Sequence, residues 1–273
     1  MAINYAEKYA AKIDERFQLG AITTPAVNND YDFSGVKTVK VYSIPTVAMG
    51  DYTRTGSNRY GTPEELQDTV QELTLSRDRA FTFTVDKGND ADQQGIKNAG
   101  AALQRQLNEV TIPEIDIYRL AAICAGAGTT SAATAITKEN AYAAFLEGTA
   151  KLTDEKAPIG GRVAYLSPNY YKLIKQDSSF IKSGDLAQDT LLKGQLGQID
   201  GVPLIVVPSS YLPSNVEFVI TNPIACCAPV KLAEYKVHDN PPGINGMLVE
   251  GRVYYDAFVL NNKAKAIYVH KGA

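Results

Sequence analysis

Histidine is nearly missing from this chain. Two occur in 273 residues, His238 and His270, and acid–base and metal chemistry near neutral pH leans on that side chain more than on any other. His238 sits in the loop-like stretch KVHDNPP and His270 lies just before the end. Both read as ordinary solvent or interface residues, so no Ser/His/Asp arrangement is supported. Cysteine is also scarce. Cys124, Cys226 and Cys227 form no CxxC pair, and two adjacent cysteines rarely close a disulfide. They are expected to be buried apolar fillers in a reducing compartment. Positive charge is not in excess: 27 Lys and Arg stand against 30 Asp and Glu, a net charge of -3. No strong basic field draws the chain to nucleic acid, which argues against a sequence-reading DNA binder. Nothing approaches the run of about 20 apolar residues that a membrane helix needs. The opening Met1 to Phe17 carries charges at Glu7, Lys8, Lys12, Asp14, Glu15 and Arg16 with no apolar core of a secretory signal. A soluble, cytosolic protein is expected.

Two partial motifs fall short of their chemistry. AGAGTT, Ala125 to Thr130, lacks the GK[ST] ending that grips phosphate and magnesium, and reads as a flexible hinge. Asp86, Asn89, Asp90 and Asp92 resemble part of a calcium loop, but the twelfth position from Asp86 is Lys97 where a bidentate Glu is required. A solvated turn leading into a helix is the better reading.

What is present is ordinary globular material, 45% hydrophobic and 21% charged, enough to bury a sizeable core as one large domain or two entangled ones. Tyr5, Ala6, Tyr9, Ala10 and Ile13 make a narrow apolar stripe on a short charged helix. Leu19 to Ser34 then runs irregular and polar, as an arm that reaches another surface or packs back on its own domain. VKVYSI within Val36 to Ile44 reads as a strand. Glu72 to Val85 alternates as another, with Leu73, Leu75, Arg77, Arg79, Phe81, Phe83 and Val85 on one face. Two arginines in mid-face suggest a strand that projects outward. The polar, glycine-bearing stretch Pro45 to Asp68 lies between them, and the whole reads as an extended two-stranded arm that needs a neighbour to lie on.

From Asp90 the period becomes helical through Ile96, Gly100, Leu103, Leu107 and Val110, with Pro113 expected to break the helix. A second helix over Glu114 to Ala125 would put Ile117, Leu120, Ala121 and Cys124 on one face. Gly126 to Ala135 marks a boundary between subdomains. Thr137 is a plausible N-cap for a helix carrying Ala141, Phe145 and Leu152. Strands are expected at Arg162 to Pro168, Val202 to Pro208 and Val216 to Asn222, with a helix at Asn169 to Lys175. Two closing strands joined around Asn261 and Asn262 should pair with early ones. Residues 61–92 hold eight acidic groups against three basic, whereas residues 151–193 hold seven basic against five acidic. The acidic stretch is either a solvated surface or the complement of a basic patch on an adjacent subunit.

This order of elements resembles the major capsid proteins of tailed bacteriophages with the HK97-type fold. LLKGQLGQIDGVPLIVVPSSYLP, Leu191 to Pro213, is similar to the family's glycine-rich segment entering a core strand. GMLVEGRVYYDAFVLNNKAKAIYV, with its YYDAFVL around Asp256, is similar to its closing strands. The resemblance implies an α+β fold with an N-terminal arm over 1–33, an extended β-hairpin E-loop over 34–86 and a peripheral domain with a spine helix over 87–125 and 236–273. An α/β axial domain would take up 126–235. It further implies a non-enzymatic structural protein without cofactors that forms pentamers and hexamers around double-stranded DNA, without sequence-specific binding. Scaffolding, portal and decoration proteins are its possible partners, and the virion, assembled in the host cytoplasm, its place. Intersubunit contacts are expected from Arg54, Arg59, Tyr60, Arg77 and Arg79 of the E-loop and from Tyr5, Tyr9 and Ile13 of the arm. Residues 51–86 contain no lysine, so a lysine cross-link from that loop is not expected, and arginine suits bidentate pairing with carboxylates. The chain reaches the arm directly from Met1, so scaffolding is expected from a separate protein or not at all. Two alternatives remain: an encapsulin-like shell holding cargo enzymes, and an α/β enzyme, which would need a catalytic cluster that the sequence does not offer.

Overall fold

A computed structural model describes residues 21–63, 65–88, 99–177 and 197–272. In chain order it places β1 (Thr38–Ser43), β2 (Thr69–Thr74), β3 (Arg77–Asp86), α1 (Ala99–Gln106), a π-helical turn (Leu107–Thr111), α2 (Ile112–Ala125), β4 (Thr129–Thr130) and α3 (Ala141–Asp154). There follow β5 (Val163–Leu166), α4 (Pro168–Gln176), β6 (Gln198–Ile199), β7 (Val202–Val206), β8 (Val216–Thr221) and β9 (Cys226–Cys227). The chain closes with β10 (Val230–Asp239), β11 (Gly246–Tyr255), β12 (Phe258–Val259) and β13 (Ile267–Lys271). The mixture is α+β, as expected.

Two sheets carry the body. The first, in the order β10-β11-β3, is antiparallel throughout. Its alternation presents Tyr235, Val249, Val253, Tyr255 and Val85 to Ala99, Leu103, Leu107, Ile112 and Ile115 of the helical spine. Gly251 pairs with Phe81 in this sheet, and a Cβ there would come within 2.3 Å of the Phe81 ring. The glycine is what lets that ring, flanked by Tyr235 at 6.2 Å, lie across the strand. The second sheet runs β4-β13-β8-β5-β7-β6. Phe145, Tyr165, Tyr170, Phe218 and Tyr268 fill its core with α3 and α4. Gly148 of α3 sits so close to β13 that a Cβ would meet Tyr268 at 2.7 Å.

Several expectations need correcting. Glu72 to Val85 is not one projecting strand. It turns at Leu75–Ser76, so that β2 pairs with β1 while β3 leaves to pair with β11. The two arginines in mid-run belong to the body sheet, where they meet a carboxylate of α2. Only part of the span 34–86 is therefore a projecting ribbon. Pro113 does not end the helix either. Backbone angles stay helical from Gln106 through Ile112, and Pro113 enters at the first turn of α2. The widened π turn just before it makes room for the ring and tolerates its missing N–H. That turn inserts one residue, which rotates the buried face: Ile112, Ile115, Leu120 and Ile123 are buried, whereas Val110 and Ile117 are exposed.

Gly126 and Gly128 are not a flexible hinge. A Cβ on the first would lie 2.5 Å from Val259, and one on the second 2.7 Å from the backbone at Ala264 and Lys265, so both glycines serve close packing. α3 begins at Ala141 after Asn140, and Thr137 caps the turn before it: its hydroxyl accepts from the Glu139 amide at 3.3 Å, while Asn140 Oδ1 accepts from the Thr137 amide at 2.7 Å. The stretch containing His238 is strand, not loop, for His238 pairs with Leu248 on β10. Ala233, Tyr235 and Val237 alternate there with Glu234, Lys236 and His238, so one face of this edge strand packs on the spine and the other is polar. The closing strands separate: β11 joins early β3, but β13 lies between β8 and β4. The end of the 236–273 segment thus belongs to the sheet of the 126–235 region, while β10 begins within that region and joins the other sheet. The partial calcium motif falls mostly outside the described residues.

His270 is not solvent-facing. It is 4% exposed, stacked on Phe218 at 5.0 Å with ring planes 6° apart. Burial pulls its pKa below 6.5, while Glu147 and Glu217 pull it up and Lys151 opposes them. Below pH 6.5 the unfolded chain takes up a proton at His270 that the folded chain resists, so this group costs stability as pH falls from 6.5 toward its folded value. Above that window it contributes no slope. Melting temperatures between pH 7.5 and pH 5 are expected to fall less for His270→Gln than for wild type; equal slopes would count against it.

Candidate assembly surfaces and their anchoring

β1 and β2 form an isolated antiparallel ribbon, Thr38 opposite Thr74 to Ser43 opposite Thr69. Beyond it the chain makes an irregular tip closed by its own hydrogen bonds. The Thr53 amide donates to the Arg59 carbonyl at 3.1 Å, and Arg59 Nε donates to the Gly56 carbonyl at 3.1 Å. Gly56 supports the turn with φ +91°, in the region that favours glycine. Tyr52 and Tyr60 meet edge to face at 5.0 Å. The tip nevertheless leaves its apolar side chains in water: Met49 is fully exposed, Tyr60 is 93% exposed, and Tyr42, Ile44, Val47 and Leu66 are exposed as well.

The base of the ribbon is held firmly. Leu73, Leu75, Phe33 and Leu260 form a small core, with Phe33 stacked on Phe258 at 5.9 Å. Gln71 clamps β2 to the chain after β12, donating to the Val259 carbonyl and accepting from the Asn261 amide, each at 2.9 Å. Asp256, 3% exposed, gathers the corner itself. Its Oδ2 accepts from the Ser76 amide at 2.8 Å and hydroxyl at 2.9 Å; its Oδ1 accepts from Tyr118 OH at 2.6 Å and the Ala257 amide at 2.8 Å. Burial and this hydrogen bond push the Tyr118 pKa up to about 12, so the phenol stays a donor.

The residues expected to make intersubunit contacts fall into three groups. Arg54, Arg59 and Tyr60 sit at the exposed tip, and among the described residues neither arginine forms an ion pair within the chain. Arg77 and Arg79 are on β3 and turn toward α2, where Arg79 Nε lies 2.7 Å and Arg77 Nη2 3.9 Å from Glu114 Oε1. The Arg77 guanidinium also lies 4.6 Å over the Tyr118 ring. Tyr5, Tyr9 and Ile13 lie outside the described residues.

The segment after residue 20 packs back on its own chain. Asp116 of α2 accepts from the Ile22 amide, the Thr23 amide and the Thr23 hydroxyl at 3.1, 3.1 and 2.6 Å. Tyr165 OH donates to the Ile22 carbonyl at 3.0 Å, and Asn28 bridges to Cys227. Sequence reasoning missed Asp116, Gln71 and Ser76. Polar residues within apolar runs, as at Asp116 in IPEIDIYRL, were the available signal, since such groups are buried only with partners. Among the described residues no group of three or more His, Cys, Asp or Glu could hold a metal, and no helix is long and apolar enough to cross a membrane.

The whole arrangement has close structural parallels. The chain is similar to a structure from Mycobacterium phage Che8, with 18% identity and a TM-score of 0.67 over 90% of each chain. It is similar to the capsid of cyanophage P-SCSP1u, with 12% identity and a TM-score of 0.67 over 91% of this chain and 85% of that one. A virus-like particle from Pyrococcus furiosus shares the fold at 10% identity and a TM-score of 0.58, covering 98% of this chain and 100% of that one. No curated protein matches the sequence. The family model described as phage capsid protein matches residues 68–270, and the chain therefore belongs to that family, as a structural capsid protein with the HK97-type fold.

Proposed function

We propose that this protein assembles through pentamers and hexamers into an icosahedral shell around double-stranded DNA. In this reading residues 1–33 act as the N-terminal arm and the β1–β2 ribbon with its tip as the E-loop. The sheet β10-β11-β3 with its helical spine is the peripheral domain, and the six-stranded sheet is the axial domain. The observation that carries it is the ribbon tip, whose Met49, Tyr60 and neighbours expose apolar surface that the described residues of their own chain do not cover. Such surface marks a contact with another molecule, and repeated head-to-tail contacts close into rings when their rotation allows. Arg54 and Arg59 supply charged contacts there, pairing with carboxylates next door. A net charge of -3 suits a container that holds DNA without gripping its phosphates. Scaffolding, portal and decoration proteins are its possible partners, and assembly would take place in the host cytoplasm.

The test is Met49→Asp with Tyr60→Asp. Both side chains project into water, so the variant should keep the wild-type circular dichroism and melting temperature. Its particle yield, by light scattering and negative-stain microscopy, should fall about thirtyfold or more, the loss of one contact of about 2 kcal/mol. Wild-type assembly by the variant would overturn the proposal. A second reading keeps the shell and changes its contents to protein cargo, as a nanocompartment; the fold it needs is shared with a virus-like particle. Nucleic acid or enzyme inside purified native particles decides between them.

A further inference from the structure

Arg119 is an anomaly in the body of the molecule. It is 6% exposed, its Nε has no hydrogen-bond partner, and its Nη1 reaches only the Thr23 hydroxyl, at 3.4 Å. Asp116 lends it electrostatic support, yet both Asp116 oxygens already accept from Ile22 and Thr23. Among the described residues no carboxylate forms an ion pair with it. A buried guanidinium in this condition is costly unless an anion reaches it. Arg119 also lines a cleft of about 470 Å³ between the 21–34 segment and the start of β10. Tyr31, Phe33 and Val230 give that cleft apolar walls, and Lys231, whose ammonium donates to the Val36 carbonyl at 2.7 Å, adds a second cation. Asp32 lies there too, but accepts from the Ser34 amide at 2.8 Å.

We propose that this cleft receives a second copy of the chain, through Glu65, Leu66 and Asp68 of its ribbon. The three are exposed, and neither carboxylate is in an ion pair among the described residues. An apolar side chain flanked by two carboxylates is the complement of apolar walls with two cations. Glu72, by contrast, is already paired with Lys40 at 3.0 Å. The inference rests on the shell reading and names where the ribbon of one subunit lands on the next.

The experiment is disulfide trapping in assembled particles with the double variant Asn29→Cys and Asp68→Cys, Asn29 being an exposed residue of the cleft rim. Burial raises the pKa of all three native thiols, Cys124, Cys226 and Cys227, which makes them poor competitors for oxidation, and a Cys227→Ala background removes the one that pairs with Asn28 beside the new cysteine. Covalent oligomers on a non-reducing gel are expected, with a control pair, Lys172→Cys and Asp68→Cys, giving about tenfold less. Closed wild-type shells whose Asn29 pair does not cross-link, or cross-links no better than the control, would overturn this inference and leave the shell reading standing; no shells at all would overturn both. In a second arm Lys231→Glu should lower particle yield and Lys231→Glu with Asp68→Lys should restore it. Raised melting temperature of the unassembled wild type in inorganic phosphate, without trapping in shells, would assign the cleft to a free anion and overturn the second copy as its occupant.

Discussion

Asp256→Ala is expected to destabilise the protein by about 3–5 kcal/mol, on the order of 10 °C in melting temperature. The substitution removes a carboxylate that accepts four hydrogen bonds, from Ser76 twice, Tyr118 and Ala257. Three elements lose their common point: the start of β3, the face of α2 and the end of β11. Burial makes each orphaned donor expensive, because water cannot take the place of the lost acceptor. Asp256→Asn keeps one carbonyl oxygen but aims an amide at groups that are themselves donors, so it should fall between alanine and wild type. The ribbon should also loosen at its root, giving faster proteolysis between residues 43 and 76. A melting temperature within a degree of wild type for Asp256→Ala would show that the corner is held by the Phe33, Leu73 and Leu75 cluster alone.

Arg162→Met is expected to cost about 2–4 kcal/mol. Arg162 is 4% exposed, and its guanidinium donates to the carbonyls of Pro158 at 2.8 Å, Ala157 at 2.9 Å and Thr149 at 3.2 Å, and to the Thr153 hydroxyl at 3.2 Å. It gathers the carbonyls at the C-terminal end of α3 and the turn beyond, where a cation also meets the negative end of the helix dipole. Methionine keeps the apolar stem and removes the donors, so the loss reports the hydrogen bonds more than packing. Arg162→Lys should also lose stability, by at least about 1 kcal/mol, because an ammonium cannot reproduce the planar fork. Chemical denaturation followed by circular dichroism measures both; a lysine variant as stable as wild type would mean that charge at the helix end is sufficient.

Much of the half built on the six-stranded sheet is legible in the sequence because its signals are local. VAYL, VPLIV and VEFVIT are short apolar or β-branched runs bounded by proline, glycine or asparagine, and they form β5, β7 and β8. Ser167 before Pro168 marks the start of α4, and its side chain accepts from the Tyr170 amide. The other half is harder because its decisive contacts join distant residues. Nothing local in LTLSRDRAF says that the chain turns at Ser76, since the acceptor that turns it, Asp256, comes after most of the fold. Nor can periodicity register a π turn, because one added residue keeps the helix while rotating its buried face.

By itself the sequence determined the kind of protein: too little histidine and cysteine for common catalysis, no membrane run, and an arm, long helix and α/β order resembling a capsid subunit. The absences and the single elements follow from composition and short-range period, which single residues and their near neighbours specify; the kind of protein came from the resemblance of their order to a known family. Only the tertiary structure decided that Arg77 and Arg79 serve Glu114 in the body, that the tip keeps Arg54, Arg59 and Tyr60, and that Arg119 is buried beside an open cleft. Whether a charged side chain faces a neighbour or its own fold depends on strands paired across most of the chain. That pairing is set by burial of the whole core and by the few polar anchors that burial makes costly to leave unmet.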